Sequence, residues 1–235
     1  MDRFLEGKTA IVTGGTRGIG RAIAEALLDA GAAVAICARS EKSVAETVKD
    51  LSSRGRVVGT PCNVGIPNSV SAFFQFCDEK LPRLDVLVNN AGVGKFSSVS
   101  DLTVDQWRET IETNLNGVFY CSREALLRFK TTGGGYVINI SSLAGKNPFA
   151  GGAAYNASKF GLNGFSEAMM LDHRYDNVRV SYIMPGSVST AFGSGKEGDW
   201  KIQPSDIAEI VMMLLRMPER TLVSRVEVRP TKPKR

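Results

Sequence analysis

Lys8-Thr9-Ala10-Ile11-Val12-Thr13-Gly14-Gly15-Thr16-Arg17-Gly18-Ile19-Gly20 is the stretch whose reading decides the fold. Its first residues form a short apolar run with strand character, and the glycines that follow read as a turn. Residues 21–29 then continue as an amphipathic helix that stops at Gly31, a residue suited to a helix C-cap. Strand, glycine turn and helix in that order make the phosphate-binding unit of a dinucleotide fold. Gly14 permits the tight turn, while Gly18 and Gly20 let backbone approach a pyrophosphate and the strand. The spacing is Gly-x-x-x-Gly-x-Gly, distinct from the Gly-x-Gly-x-x-Gly of larger dinucleotide-binding domains.

Outward from this unit the same alternation continues. Apolar, β-rich runs recur at residues 8–13, 33–38, 57–60, 84–89, 136–140, 179–184 and 223–228. Helical patterns lie at 21–29, 43–54, 68–80, 104–128, 155–175 and 204–216. Alternating strand and helix predicts an α/β fold: a Rossmann-type, doubly wound parallel sheet of seven strands, with helices on both faces and ligand at the carboxyl ends. The 235 residues suit a single domain. Its cofactor-binding part is expected to reach roughly residue 140, and the remainder is expected to carry catalysis and substrate.

Composition narrows the class. The chain is 43% hydrophobic, enough for a substantial core, and has no run of about 18 apolar residues that would span a membrane. Its opening residues lead straight into the first strand, which leaves no room for a signal peptide and predicts a cytoplasmic protein. Cys37, Cys62, Cys77 and Cys121 lack zinc-like pairing and read as reduced, buried thiols. A net charge of +5 suits an anionic cofactor. The short basic end at 231–235 reads as a solvated terminus, and there is no aromatic-interleaved basic patch. Neither a nucleic-acid partner nor a membrane is expected.

The chemistry concentrates in Tyr155-Asn156-Ala157-Ser158-Lys159, with Ser142 thirteen positions before the tyrosine. Residues four apart on a helix share a face, so the heads of Tyr155 and Lys159 can converge on one substrate. A free phenol titrates near ~10 and a free lysine near ~10.4. A lysine cation held close favours phenolate, lowers the tyrosine pKa and makes it a usable acid–base group.

Together with further motifs, these residues resemble the short-chain dehydrogenase/reductase family. The resemblance runs through the turn at 13–20, Asn89-Asn90-Ala91-Gly92, Asn114 in Thr113-Asn114-Leu115, Ser142, Tyr155 with Lys159, and Pro185-Gly186 followed by Thr190. It implies hydride exchange between a nicotinamide and a carbonyl or secondary alcohol. Tyr155 would be the general acid/base, and Ser142 would bond the same oxygen. Lys159 would lower the tyrosine pKa and hold ribose hydroxyls, with Asn114 anchoring a water that connects Lys159 to solvent. Ser141 would be a supporting hydroxyl.

Cofactor contacts are implied at Gly14, Thr16, Arg17, Gly18, Ile19 and Gly20 of the turn, and at Tyr155 and Lys159 themselves. Asn63 would accept from the adenine amine beside Val64, and Asn89, Asn90, Ala91 and Gly92 would line the cofactor past the fourth strand. Pro185 would close the sixth strand, Gly186 would permit a turn under the nicotinamide, and Val188 and Thr190 would receive its carboxamide. The second strand ends Ala38-Arg39-Ser40 with no acid at its tip. Arg39 and Arg17 can therefore pair with a 2′-phosphate, assisted by the Ser40 hydroxyl, which predicts NADP(H).

Residues 191–202, carrying Gly193, Gly195 and Gly198, read as a short substrate lid. The lone His173 reads as a cation at a helix C-terminus. Ala157, Gly161, Gly164 and Ala168 keep the Tyr155 helix thin, and in the resembling family this helix builds a subunit interface, implying a homodimer or homotetramer. The carboxyl end Val223-Ser224-Arg225-Val226-Glu227-Val228 lacks the glycines with which many 3-oxoacyl-[acyl-carrier-protein] reductases of the family finish. A carbonyl reductase acting on a small carbonyl or hydroxy compound is the leading expectation, and the ketoacyl reductase stands second. A non-catalytic NADP(H)-binding redox sensor is a distant third, because the whole catalytic set is present.

Overall fold

Every side chain of the first strand, β1 (Thr9–Thr13), is buried, as a strand must be when helices cover both faces of its sheet. The computed structural model describes residues 3–192 and 198–233. Its sheet also contains β2 (Ala33–Ala38), β3 (Val57–Pro61), β4 (Val86–Asn89), β5 (Gly135–Ile140), β6 (Val178–Pro185) and β7 (Arg225–Val228). The seven strands lie in the order β3-β2-β1-β4-β5-β6-β7, and every neighbouring pair is parallel. The expected doubly wound sheet is thus present.

Helices α1 (Gly18–Asp29), α2 (Glu41–Leu51), α3 (Pro67–Lys80), α4 (Val104–Ile111), α5 (Gly117–Thr132), α6 (Ala153–His173) and α7 (Pro204–Arg216) supply the crossovers and cover. Strand alternation divides the core into two layers. Ala10 and Val12 point into one layer with Ile23 and Leu27 of α1 and Val211 of α7. Ile11 and Leu87 point into the other with Phe73 and Phe74 of α3 and Phe129 of α5. Strand order reverses between β1 and β4, and a crevice opens at such a switch point beyond the carboxyl ends of the strands.

Gly31 ends α1 as expected. At φ 96° it lies in the left-handed region, and the N–H groups of Gly31 and Ala32 donate to the carbonyls of Leu28 and Leu27.

The expected helical pattern at 104–128 is helical throughout, but a π-helical turn at Glu112–Asn116 divides it into α4 and α5. The turn carries Asn114, whose side chain is tied to the strand-end loop beneath it. The four cysteines are free and buried. Among the described residues no group of side chains could hold a metal, and no helix is long and apolar enough to cross a membrane.

Candidate active site

A cleft of about 1230 Å³ lies beyond the carboxyl ends of the strands, large enough for a dinucleotide together with a small substrate. At its floor the glycine turn is pinned to the end of β4. The Asn90 side chain donates to the carbonyls of Thr13 and Gly14 at 2.9 and 3.1 Å. The Thr13 hydroxyl accepts from the backbone of Asn90 and Ala91, both at 3.0 Å. Gly14 has φ 65°, and a Cβ on Gly20 would lie 2.3 Å from both the Asn90 amide and the Gly14 carbonyl. Glycine is required at both positions, and the result is a bare backbone cradle at the N-terminus of α1, suited to a pyrophosphate. Thr16, Arg17, Gly18 and Ile19 line the same wall.

The opposite role of two neighbouring asparagines corrects the sequence reading. Asn90, Ala91 and Gly92 line the cleft, but Asn89, the last residue of β4, points into the core. There it donates to Asn139 at 2.9 Å and to Ser122 at 3.1 Å, so it locks β4 to β5 and α5 instead of touching a ligand.

At the β2 end, Arg39, Ser40, Asn63 and Val64 all reach the cleft. Ser40 also caps α2 by accepting from the Ser43 N–H at 3.2 Å. The Asn63 amide oxygen accepts from the Gly65 N–H at 3.1 Å, leaving one lone pair for an adenine amine. Arg17 makes no ion pair among the described residues, whereas Arg39 donates to Glu109 of α4 at 3.1 Å. Glu109 also holds Lys95 at 3.3 Å. Burial acts upward on the Glu109 carboxyl, but the hydrogen bonds from Lys95 and Arg39 outweigh it and hold the pKa below its usual range. Sequence reading did not find Glu109, which lies seventy residues from Arg39 and in no motif.

The catalytic candidates meet where β5 and β6 end. Ser142 follows β5 and caps a short 3₁₀ turn, accepting from Ala144 N–H at 3.1 Å. Tyr155 and Lys159 project from the first turns of α6 into the cleft. Burial pushes the Tyr155 phenol above its ordinary pKa, and the adjacent Ser142 hydroxyl pulls the other way. The lysine was expected to bring the phenol down. Instead burial dominates both groups, and the Lys159 ammonium falls to about 8. Its head donates to the Ile140 carbonyl at 2.9 Å and lies 5.7 Å from the centre of the Tyr155 ring. The Ser141 hydroxyl, beside Ser142 on the cleft wall, donates to Asn163 of α6.

Asn114 is fully buried. Its amide oxygen accepts from Val93 N–H at 2.8 Å, and its amide nitrogen donates to Val93 C=O at 2.9 Å and Ser158 at 3.1 Å. Both amide hydrogens and one lone pair of the oxygen are thus engaged, and a single acceptor position of the side chain is left.

The far wall begins at Pro185. Gly186 is not in the left-handed region; a Cβ there would press on Leu143 and Pro230, each at 3.2 Å, so the position serves close packing and not a turn. Val188 forms an isolated parallel bridge with Ile202, and Thr190 approaches Gly18 across the cleft. Within the expected lid, residues 193–197 lie outside those described. His173, the last residue of α6, bonds Asp176 at 2.9 Å away from the cleft. Phe96, Phe149 and Phe192 also line the cleft, and no sequence motif marks the three.

Comparison with known proteins agrees with this geometry. The family model for short chain dehydrogenase matches residues 8–199. A 3beta-hydroxysteroid dehydrogenase of Mediterraneibacter gnavus is 35% identical over 88% of this chain and 75% of its own. A putative ketoacyl reductase of the monensin polyketide synthase from Streptomyces virginiae is 40% identical over 78% of this chain and 71% of its own. Among solved structures, a metagenomic short-chain oxidoreductase in complex with NADP superimposes with a TM-score of 0.86 at 36% identity, covering 97% of this chain and 99% of the other. An alcohol dehydrogenase from the archaeon Thermococcus sibiricus, complexed with 5-hydroxy-NADP, gives 0.90 at 30% identity with the same coverage. By sequence, by topology and by the arrangement of its cleft, the chain belongs to the short-chain dehydrogenase/reductase family of oxidoreductases.

Proposed function

We propose that this protein is an NADP(H)-dependent oxidoreductase that interconverts a small carbonyl compound and its secondary alcohol. The observation that carries the reading is the convergence of Tyr155, Ser142 and Lys159 at one end of a cleft whose other end is a bare glycine cradle flanked by Arg17 and Arg39. The cradle fits a dinucleotide pyrophosphate, and two guanidinium groups with no acid at the tip of β2 fit a 2′-phosphate. Both neighbours described above are complexes of NADP or its 5-hydroxy form, which supports the same choice. Val188 and Thr190 are the residues assigned to the carboxamide.

When bound, the nicotinamide supplies or takes up the hydride at the carbonyl carbon. This chain's own residues manage the oxygen. Tyr155 donates its phenolic proton as negative charge develops there, and the Ser142 hydroxyl donates a second hydrogen bond that fixes the oxygen in place. Lys159, in its charged form, stabilises the phenolate that remains. Asn114 is a positioning residue, holding the loop at Val93 against α6 beside Lys159. Positioned proton transfer of this kind contributes about 10²–10⁴-fold in rate.

A second reading, reduction of a 3-oxoacyl thioester, is favoured by the likeness to a polyketide ketoacyl reductase. For assembly we propose a homodimer or homotetramer through α5 and α6. Phe119 and Leu127 of α5 and Phe160 and Leu171 of α6 are exposed, and a Cβ on Gly164 between the last two would meet nothing within 4 Å. A flat apolar stripe of this kind invites a second copy. Buried free thiols fit a reducing, cytoplasmic compartment.

The test is loss of NADPH absorbance over a panel of ketones, aldehydes, β-keto esters and β-ketoacyl thioesters. Tyr155→Phe should abolish turnover while NADPH affinity stays nearly intact, and full activity in that variant would sink the assignment.

A further inference from the structure

Two phenyl rings flank the ring of Tyr155, and a third packs against one of them. Phe96 meets it edge to face, with centroids 5.6 Å and planes 80° apart. Phe192 approaches at 5.7 Å and 53°, and Phe149 packs against Phe96 at 5.6 Å and 60°. All three line the cleft, yet they remain 44%, 45% and 39% exposed for Phe96, Phe149 and Phe192. Large apolar side chains left this bare inside a cleft, rather than on a featureless surface, mark a place where a ligand completes the packing.

The rings are held by backbone, which makes the collar a built site. A parallel bridge between Ser97 and Gly152 sets the loops carrying Phe96 and Phe149 side by side. The buried Asn156 donates to the Phe149 carbonyl at 3.0 Å from the helix turn that presents Tyr155. A Cβ on Gly94 would lie 2.7 Å from the Phe96 ring and 2.8 Å from the Phe192 ring. The two rings therefore converge over a residue that has no side chain to separate them. By contrast, Arg17, Arg21 and Arg39 belong to the glycine turn, α1 and the tip of β2 at the other end of the cleft.

We infer that this collar is the subsite for a planar, apolar group attached directly to the reacting carbonyl, so that the preferred substrates are aryl ketones and their secondary alcohols. The inference deepens the carbonyl-reductase reading and rests on it. Aromatic edges and faces spaced in this way pair best with a further ring, which an extended acyl chain does not provide. In the reaction the ketone carbon gains the hydride from NADPH and its oxygen gains the Tyr155 proton. The products are the benzylic alcohol and NADP⁺, and a solvent proton restores the phenol.

The experiment compares acetophenone and 2-acetylnaphthalene with octan-2-one and a 3-oxobutanoyl thioester, using NADPH and the full chain. The expected result is kcat/KM at least about tenfold higher for the aryl ketones than for octan-2-one. In Phe96→Leu and Phe149→Leu the aryl-to-alkyl ratio should fall about fivefold. Equal efficiency for aryl and alkyl ketones, or variants that leave the ratio unmoved, would overturn the subsite while leaving the carbonyl-reductase reading intact. If no carbonyl compound is turned over although NADPH binds, that reading fails instead. Calorimetric titration of 1-(2-naphthyl)ethanol then decides the collar by itself. Binding that weakens in Phe149→Leu supports it, and absence of binding to the unmodified protein overturns it.

Discussion

The ammonium of Lys159 lies 2.9 Å from the carbonyl oxygen of Ile140, the last residue of β5, and is 95% removed from solvent by residue surface, at 5% exposed. No carboxylate is within ion-pairing distance of it among the described residues. One neutral acceptor offsets little of the cost of desolvating a cation, and the lysine pKa drops from 10.5 to about 8.

That depression fixes a sign. Between about pH 8 and 10.5 the unfolded chain binds a proton that the folded chain does not, so stability rises with pH through this window. Below it, the folded protein carries a buried charge that costs about 3 kcal/mol. Lys159→Met should therefore melt higher than the parent at pH 7, by about 3–8 °C after allowance for the lost hydrogen bond. The gap should close towards pH 10.5. Melting curves across pH check this, and a variant less stable at every pH would contradict it.

Activity should follow the same proton. The proposed mechanism requires the phenol protonated and the lysine charged, and burial raises the Tyr155 phenol above its ordinary value. The kcat/KM for reduction should therefore hold level below about pH 8 and decline above it as the coupled pair loses its first proton. A profile that is flat to pH 10 would separate Lys159 from the chemistry.

Glu109 competes with any anion for Arg39. Its replacement by glutamine removes a negative charge 3.1 Å from the guanidinium and should tighten NADPH about two- to fivefold at low salt, with NADH unchanged. Arg39→Ala should weaken NADPH by roughly tenfold or more and again spare NADH. Fluorescence titration with both cofactors distinguishes this from a general effect, which would move them together.

Asn114→Ala should be costly although the residue touches no solvent. Removal of the amide strands Val93 N–H and C=O in a partly buried place, at a cost of about 1–3 kcal/mol in stability. Urea denaturation measures that loss. Amide exchange at residues 112–116 should accelerate with it, because the same bonds fasten the π-helical turn.

The strand–glycine–helix unit and the alternation after it were legible because strand and helix periods differ and glycines punctuate them. The candidates Ser142, Tyr155 and Lys159 were legible because Tyr155 and Lys159 lie four apart on one helix and Ser142 stands in a motif of the resembling family, and the three line one cleft. Other features have no such local record. The pattern at 104–128 keeps its helical composition through the π turn, and no residue type marks the extra residue that the turn takes in. Asn89 and Asn90 look alike in a row of letters, but pleating sends the first into the core and leaves the second at the crevice. The pairing of Arg39 with Glu109 and the gathering of Phe96, Phe149 and Phe192 depend on loops brought together by the sheet. Gly186 was mistaken for a turn glycine because closeness to Leu143 and Pro230 is invisible before folding.

The bridge between Val188 and Ile202 gives the far wall a modular character. Because Val188 and Ile202 are fastened side by side, the stretch between them leaves and rejoins the fold at one place. Its length or content can change without redirecting the strands, and each doubling in length adds only about 0.6 kcal/mol of closure entropy. Such changes leave the placement of Ser142 after β5 and of Tyr155 and Lys159 on α6 untouched.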